Sequence, residues 1–322
     1  MKVLFIQSGF LGIYLFIDNW VKESLIETGV ECHTVSPQID VATLKETIDK
    51  EKPDIVLMII GNRIPFTFIQ TIKQANIPLA IWLTEDPFYI DISLTVLSLT
   101  DYILTIDEGA VEHYLSLGYQ NVYYFPLATN EKIFRPLNMT KEIDLLLVGY
   151  PYSNRTQLID YLANNSYYSI TLIGQHWKRY LNKQNLRRKN VTVINKWLSP
   201  SDINLYYNRS KIILNPHRTF HFKFNQNKTS IKNRSVNNRF FDIFASGGFQ
   251  LIDCQINIPV SPSKPSTKIT YPNEQKCLEL IHECMQQPIL MQETTEAWHA
   301  VTLQHDTFNK RMMTLIHLLK PL

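Results

Sequence analysis

Cysteine is the first scarcity: the 322 residues contain four, Cys32, Cys254, Cys277 and Cys284. They are dispersed except for a C-x6-C spacing near the C-terminus, which suits neither a zinc site nor a redox pair. Buried, reduced thiols in a cytoplasmic protein are therefore the expectation, with no metal centre. Glycine is also sparse, at 10 residues. The first strand-to-helix turn, Gln7-Ser8-Gly9-Phe10-Leu11-Gly12, lacks the G-x-G-x-x-G spacing, which argues against a nicotinamide dinucleotide. No stretch approaches the roughly 18 uninterrupted apolar residues of a membrane span. The apolar start, Val3 to Ile6, is cut off by Gln7, Ser8 and Gly9 and has no small-residue cleavage site after it, so it reads as a buried strand and not a secretory signal.

Charge of one sign is missing locally rather than overall. The net charge is +3, yet residues 1–140 hold 9 Lys/Arg against 17 Asp/Glu, and residues 177–240 hold 15 Lys/Arg against the single acid Asp202. That positive stretch suits an anionic partner. No helix-turn-helix, zinc or RNA-recognition motif accompanies it, so a compact anion such as a diphosphate needs fewer assumptions than a nucleic acid.

What is present is alternation. Short β-branched runs at Val3 to Gln7, Glu31 to Ser36, Asp54 to Ile60, Leu79 to Leu83, Tyr102 to Ile106 and Val122 to Phe125 are separated by amphipathic stretches. This is the pattern of repeated βαβ units with a parallel sheet. The alternation restarts at Asp144 to Gly149 and continues through Ser169 to Gly174, Val191 to Ile194, Ile212 to Asn215 and Phe249 to Asp253. The expected fold is α/β, two Rossmann-like doubly wound domains facing a cleft. Residues 1–137 and 138–290 form the two domains, and a helical segment over 291–322, broken near His305-Asp306, packs back on the first. Pro126 to Lys141 reads as the connection and hinge. Pro259 to Pro272, rich in Pro, Ser and Lys, reads as a loop.

Several strand ends carry chemistry. Leu79 to Leu83 runs into Glu85 and Asp86, where a general base facing a cleft would sit; a turn or cap role for Asp86 before Pro87 is equally compatible. Asp107 reads first as a helix cap. Gly149 is followed by Arg155 at a helix start, a natural anion site. The block Asn215 to Asp253 contains Arg218 and a basic segment. A helix then opens at Asn237-Asn238-Arg239, stops at Gly247-Gly248 and passes straight into a buried strand. Asn and Arg at its front would meet phosphates, and Asp242 one turn later would accept from ribose hydroxyls.

The segment Ser235 to Asp253, with N-x-R-x-F-D, a small-small-Gly-Gly turn and F-Q-L-I-D, resembles the donor-site signature of the CgeB-like, spore-maturation glycosyltransferase family. Thr84 to Tyr89, Val148-Gly149 with Arg155, and His305-Asp306-Thr307-Phe308 with Arg311 extend the resemblance over nearly the whole chain. The turn departs from the family pattern in having Ser246 where cysteine is frequent. Arg234 stands where retaining enzymes have the first acid of E-x7-E. The resemblance implies a GT-B fold and transfer from a nucleoside-diphosphate sugar, UDP-linked, to a glycan or surface-polymer acceptor, with no other cofactor. Arg239 and Arg155 would hold the diphosphate and Asp242 the ribose. Asn237, Asn238, Gly149, Arg218, Gly247 and Gly248 would complete the donor site, and Asp86 or Glu85 would be the acid–base group. No D-x-D is present, so metal-independent transfer is expected, with Arg239, Arg155 and Lys232 stabilising the leaving group. A non-catalytic sugar-nucleotide binder and a sugar-nucleotide epimerase share this plan and remain the alternatives.

Overall fold

The structure is a computed structural model and describes residues 1–258 and 268–319. It contains two six-stranded sheets, every pairing parallel, in the orders β2-β1-β3-β4-β5-β6 and β12-β11-β10-β7-β8-β9. The first comprises β1 (Lys2–Ile6), β2 (Glu31–Val35), β3 (Ile55–Ile59), β4 (Leu79–Leu83), β5 (Tyr102–Thr105) and β6 (Val122–Tyr124). The helices after its first five strands are α1 (Ile13–Glu27), α2 (Val41–Glu51), α3 (Phe66–Gln74), α4 (Ile90–Leu97) and α5 (Glu108–Ser116). The second sheet comprises β7 (Ile143–Val148), β8 (Ile170–Ile173), β9 (Val191–Ile194), β10 (Ser210–Leu214), β11 (Gln250–Asp253) and β12 (Thr270–Tyr271). Its helices are α6 (Ser153–Asn165), the short α7 (Trp177–Tyr180), α8 (Pro200–Arg209), α9 (Asn238–Ala245), α10 (Glu274–Gln286) and α11 (Pro288–His305), and α12 (Phe308–Leu319) closes the described chain.

Local chemistry accounts for these boundaries. β3 and β4 are buried at every residue, as central parallel strands covered on both faces must be. Asp40, Asp107, Ser199, Asn237 and Asn273 each accept the backbone N–H of the second or third residue of the helix they cap. Pro200 occupies the first turn of α8, where its missing N–H costs no hydrogen bond.

The chain divides into two compact units, Met1–Leu127 with Lys223–Ser235 and Phe308–Leu322, and Ala128–Phe222 with Val236–Thr307. This differs from simple consecutive domains at three places. The stretch read as a linker is already structured from Ala128: Thr129, Asn130 and Phe134 are buried, and Asn208 on α8 accepts the Leu137 N–H. The C-terminal helical pattern is split, α11 belonging to the second unit and α12 to the first, where Phe308 meets Trp20 of α1 at 5.5 Å between ring centres. Lys223–Ser235 belongs to the first unit, because Asp107 accepts the backbone N–H groups of Arg234 and Ser235, and the Asp91 carboxylate accepts that of Lys228. The expected loop from Pro259 lies outside the described residues up to position 267; beyond it, Thr270–Tyr271 form β12.

Candidate active site

In the second sheet the chain runs β7, β8, β9 in one direction and then returns to the other side of β7 with β10. The carboxyl ends of β7 and β10 thus flank the topological switch point, where open α/β sheets bind ligands. Gly149 follows β7 with φ +130°, a backbone conformation that side chains resist. A Cβ there would lie 2.6 Å from Nη1 of Arg155 and 3.4 Å from Nη1 of Arg239. The glycine therefore brings two guanidinium groups against bare backbone.

Arg155, in the first turn of α6, is 1% exposed. Its Nε donates to the Pro216 carbonyl at 2.9 Å and its Nη1 to the Tyr150 carbonyl at 3.1 Å. Burial, reinforced by the neighbouring Arg239 charge, pulls its pKa down to about 9. Arg239, in the first turn of α9, has its Nε buried with no hydrogen-bond partner. Among the described residues, neither guanidinium has a carboxylate at ion-pair distance. The first N–H groups of α6 have no side-chain cap. Two adjacent cations and a helix N-terminus, with no neutralising carboxylate among the described residues, make a cradle that would suit an anion carrying more than one charge.

Sequence reasoning missed the residues that brace this cradle. Trp177 donates its indole N–H to the Gly149 carbonyl at 2.8 Å. Tyr152 lies beneath both Arg155 and Arg218, whose guanidinium carbons are 5.0 and 5.4 Å from its ring centre, and Phe222 packs edge-on against it at 4.9 Å. His217 and Asp253 are joined at 2.9 Å behind the start of α9. The tyrosine-rich stretch after β7 was a usable signal; the His–Asp pair, 36 residues apart in sequence, had none.

The remaining residues of the expected donor site have different surroundings. Asp242 is 3% exposed; its Oδ1 accepts from the Thr129 hydroxyl at 2.8 Å and its Oδ2 from Asn238 at 3.4 Å. Burial pushes its pKa up to about 8. Asn237 turns inward to cap α9 and to exchange hydrogen bonds with Asn215, so its side chain is spent on the fold. Gly247 and Gly248 lie at the amino end of β11, and the eight residues of α9 place them about 12 Å from its N-terminus. A Cβ at Gly248 would meet Ile213 Cδ1 at 2.6 Å, so the pair serves helix-to-strand packing and not the cradle. Lys232 lies in the Lys223–Ser235 segment, which belongs to the first unit.

The two adjacent carboxylates after β4 have different surroundings. Asp86 is 1% exposed; Ser93, Thr105 and Tyr114 all donate hydroxyl hydrogens to it at 2.8–2.9 Å. Burial, only partly offset by these donors, pushes its pKa up to about 7. That carboxyl ties β4, α4, β5 and α5 together. Glu85 is half-buried and accepts from the Tyr14 hydroxyl at 2.6 Å. Tyr14 stays protonated, since burial and then the Glu85 charge raise its phenol well above the usual range.

Solved structures share this architecture over essentially their whole length. Sucrose-phosphate synthase from Thermosynechococcus elongatus superposes with a TM-score of 0.71 at 11% identity, covering 99% of this chain and 98% of that one. Anabaena HepE in complex with UDP gives 0.69 at 11%, covering 99% of each, and T4 phage BGT in complex with UDP and Mn2+ gives 0.65 at 12%, covering 100% of each. The fold is that of GT-B glycosyltransferases. The family model described as glycosyl transferase-like matches residues 131–317. Spore protein CgeB of Bacillus subtilis (strain 168) is 42% identical over 263 residues, 81% of this chain and 82% of that protein. The chain belongs to the CgeB-like glycosyltransferase family.

Proposed function

We propose that this glycosyltransferase takes a UDP-linked sugar as donor, holds its diphosphate between Arg155, Arg239 and the N-terminus of α6, and delivers the sugar to a glycan or surface-polymer acceptor. The observation that carries the reading is the unneutralised arginine pair over Gly149. Breaking the bond from the sugar anomeric carbon to the β-phosphate oxygen leaves a diphosphate with growing negative charge. Donors already aimed at that position stabilise it without reorganising at the moment of reaction. The acceptor oxygen forms the new bond to the anomeric carbon and gives its proton to a base. For that role the first unit offers Glu85, which is half-buried, in preference to Asp86, whose carboxyl is enclosed by three hydroxyls. Arg155 and Arg239 supply the positive charge that a divalent cation supplies elsewhere, so the proposed reaction is metal-independent.

Thermal stability of wild type and Arg239→Ala is measured against UDP, GDP, CDP and dTDP. A nucleotide at 100 times its Kd stabilises by about 2.7 kcal/mol, a shift of several degrees. Stabilisation of wild type by UDP alone, lost in the variant, is the expected result; no stabilisation by any nucleotide refutes the donor assignment. UDP release from sugar conjugates in EDTA then tests metal independence, which abolished turnover would overturn.

A further inference from the structure

His217 is buried at the carboxyl end of β10, 4% exposed, and both ring nitrogens are engaged. Nδ1 lies 2.9 Å from Oδ1 of Asp253 at the end of β11, and the same oxygen accepts the His217 backbone N–H at 2.8 Å. Nε2 lies 3.1 Å from the backbone nitrogen of Asn237. A backbone N–H can only donate, so Nε2 must present its lone pair and the ring proton must sit on Nδ1, donating to Asp253. The pair is therefore no proton-transfer dyad facing substrate, since the nitrogen that would act as base is already occupied.

What the ring holds is the entry to α9. Asn237 is the N-cap of that helix, and its side chain is tied to Asn215 just after β10. Asp253, His217 and Asn215 thus fix the cap residue from the ends of two strands. Two residues further on is Arg239, whose Nε is buried with no hydrogen-bond partner and whose guanidinium makes no hydrogen bond among the described residues. With nothing holding its tip, its position is inherited from the backbone of the first helical turn.

We propose that His217, oriented by Asp253, is a positioning residue for the diphosphate site, acting through the α9 N-terminus to place Arg239. This rests on the donor reading above, which puts the diphosphate at Arg239. Losing the Nε2 acceptor strands the Asn237 N–H and loosens the turn, so anion affinity should fall through Arg239 alone.

The test is calorimetric titration of UDP and of inorganic pyrophosphate into wild type, His217→Phe, His217→Gln, Arg239→Ala and the His217→Phe/Arg239→Ala double variant. His217→Phe should weaken both ligands about five- to ten-fold, the scale of one hydrogen bond, whereas His217→Gln, whose Oε1 can accept the Asn237 N–H, should stay within about two-fold. The double variant should bind no more weakly than Arg239→Ala. A purely structural tie would instead give losses that add, and additivity overturns the proposal. Unchanged affinity in His217→Phe overturns it too, while leaving the donor site standing if Arg239→Ala loses binding. Wild type that binds neither ligand refutes the donor reading and this inference together. Should His217→Phe fail to fold, Asp253→Ala releases the ring from its other side and is read against Arg239→Ala in the same way. Nitrogen-15 spectra of the imidazole provide an independent check: a proton found on Nε2 contradicts the geometry.

Discussion

Asp86 offers a direct separation of structural from catalytic roles. Its folded pKa of about 7 stands roughly three units above the ordinary 3.8. A carboxyl whose pKa is raised by folding stabilises the native state fully below its unfolded value and loses that contribution as pH climbs through the folded one. Between pH 5.5 and 8 the unfolded carboxyl is ionised throughout, while the native one goes from mostly protonated to mostly charged; the resulting loss is about 2 kcal/mol. Asp242, at about 8, and Asp107, at about 6, titrate with the same sign, so wild type by itself cannot apportion the slope. The perturbation is therefore Asp86→Asn. Urea unfolding of both proteins at several pH values in this range should show the variant's pH dependence flatter by that amount, because the neutral amide has no ionised form to bury. UDP affinity should be unchanged. Equal slopes in the two proteins would mean that Asp86 is ionised in the native state, and the assignment of it as a protonated interior tie would fail.

Two further outcomes separate the glycines. Gly248→Ala puts a Cβ 2.6 Å from Ile213 Cδ1 and 3.1 Å from the Ile243 carbonyl, which should destabilise by about 1–3 kcal/mol in thermal or urea unfolding without altering UDP affinity. Weaker UDP binding in a folded variant would return Gly248 to the donor site. Gly149→Ala should do both, since its φ of +130° is strained for alanine by about 1–3 kcal/mol and its Cβ would strike Arg155, whose guanidinium is pinned by two carbonyls; UDP affinity equal to wild type would refute the cradle.

The order of elements was legible in the chain because periodicity is a local property. Eleven of the twelve strands among the described residues were apparent as β-branched runs, and Leu79–Leu83 and Val191–Ile194 fall where the pattern put them. The twelfth, Thr270–Tyr271, is two residues long and has no period to read. Helix α4 carries a weak period, because Ile90–Leu97 follows a turn rich in polar and aromatic residues and is apolar on most sides. The placement of Arg155 and Arg239 in first helical turns was also within reach, since Gly149 just before the one and Asn237 at the cap of the other mark where those helices begin.

Side-chain direction was not local. Asp86 and Glu85 are neighbours in the chain, and nothing in the residues says which of them faces Ser93, Thr105 and Tyr114. Asp242 has a helical position suited to a ribose, yet Thr129, 113 residues earlier, encloses it. The basic stretch looked like one surface, but Asp107 and Asp91 draw residues 223–235 into a different unit from Arg239. The sequence by itself determined two parallel α/β units and the types of residue at their strand ends, because hydrophobic period and capping act over a few residues. Tertiary structure decided which of those polar groups are buried against hydrogen-bond partners and which are left without a neutralising charge, because desolvation and hydrogen bonding depend on neighbours that only folding brings within 3 Å of one another.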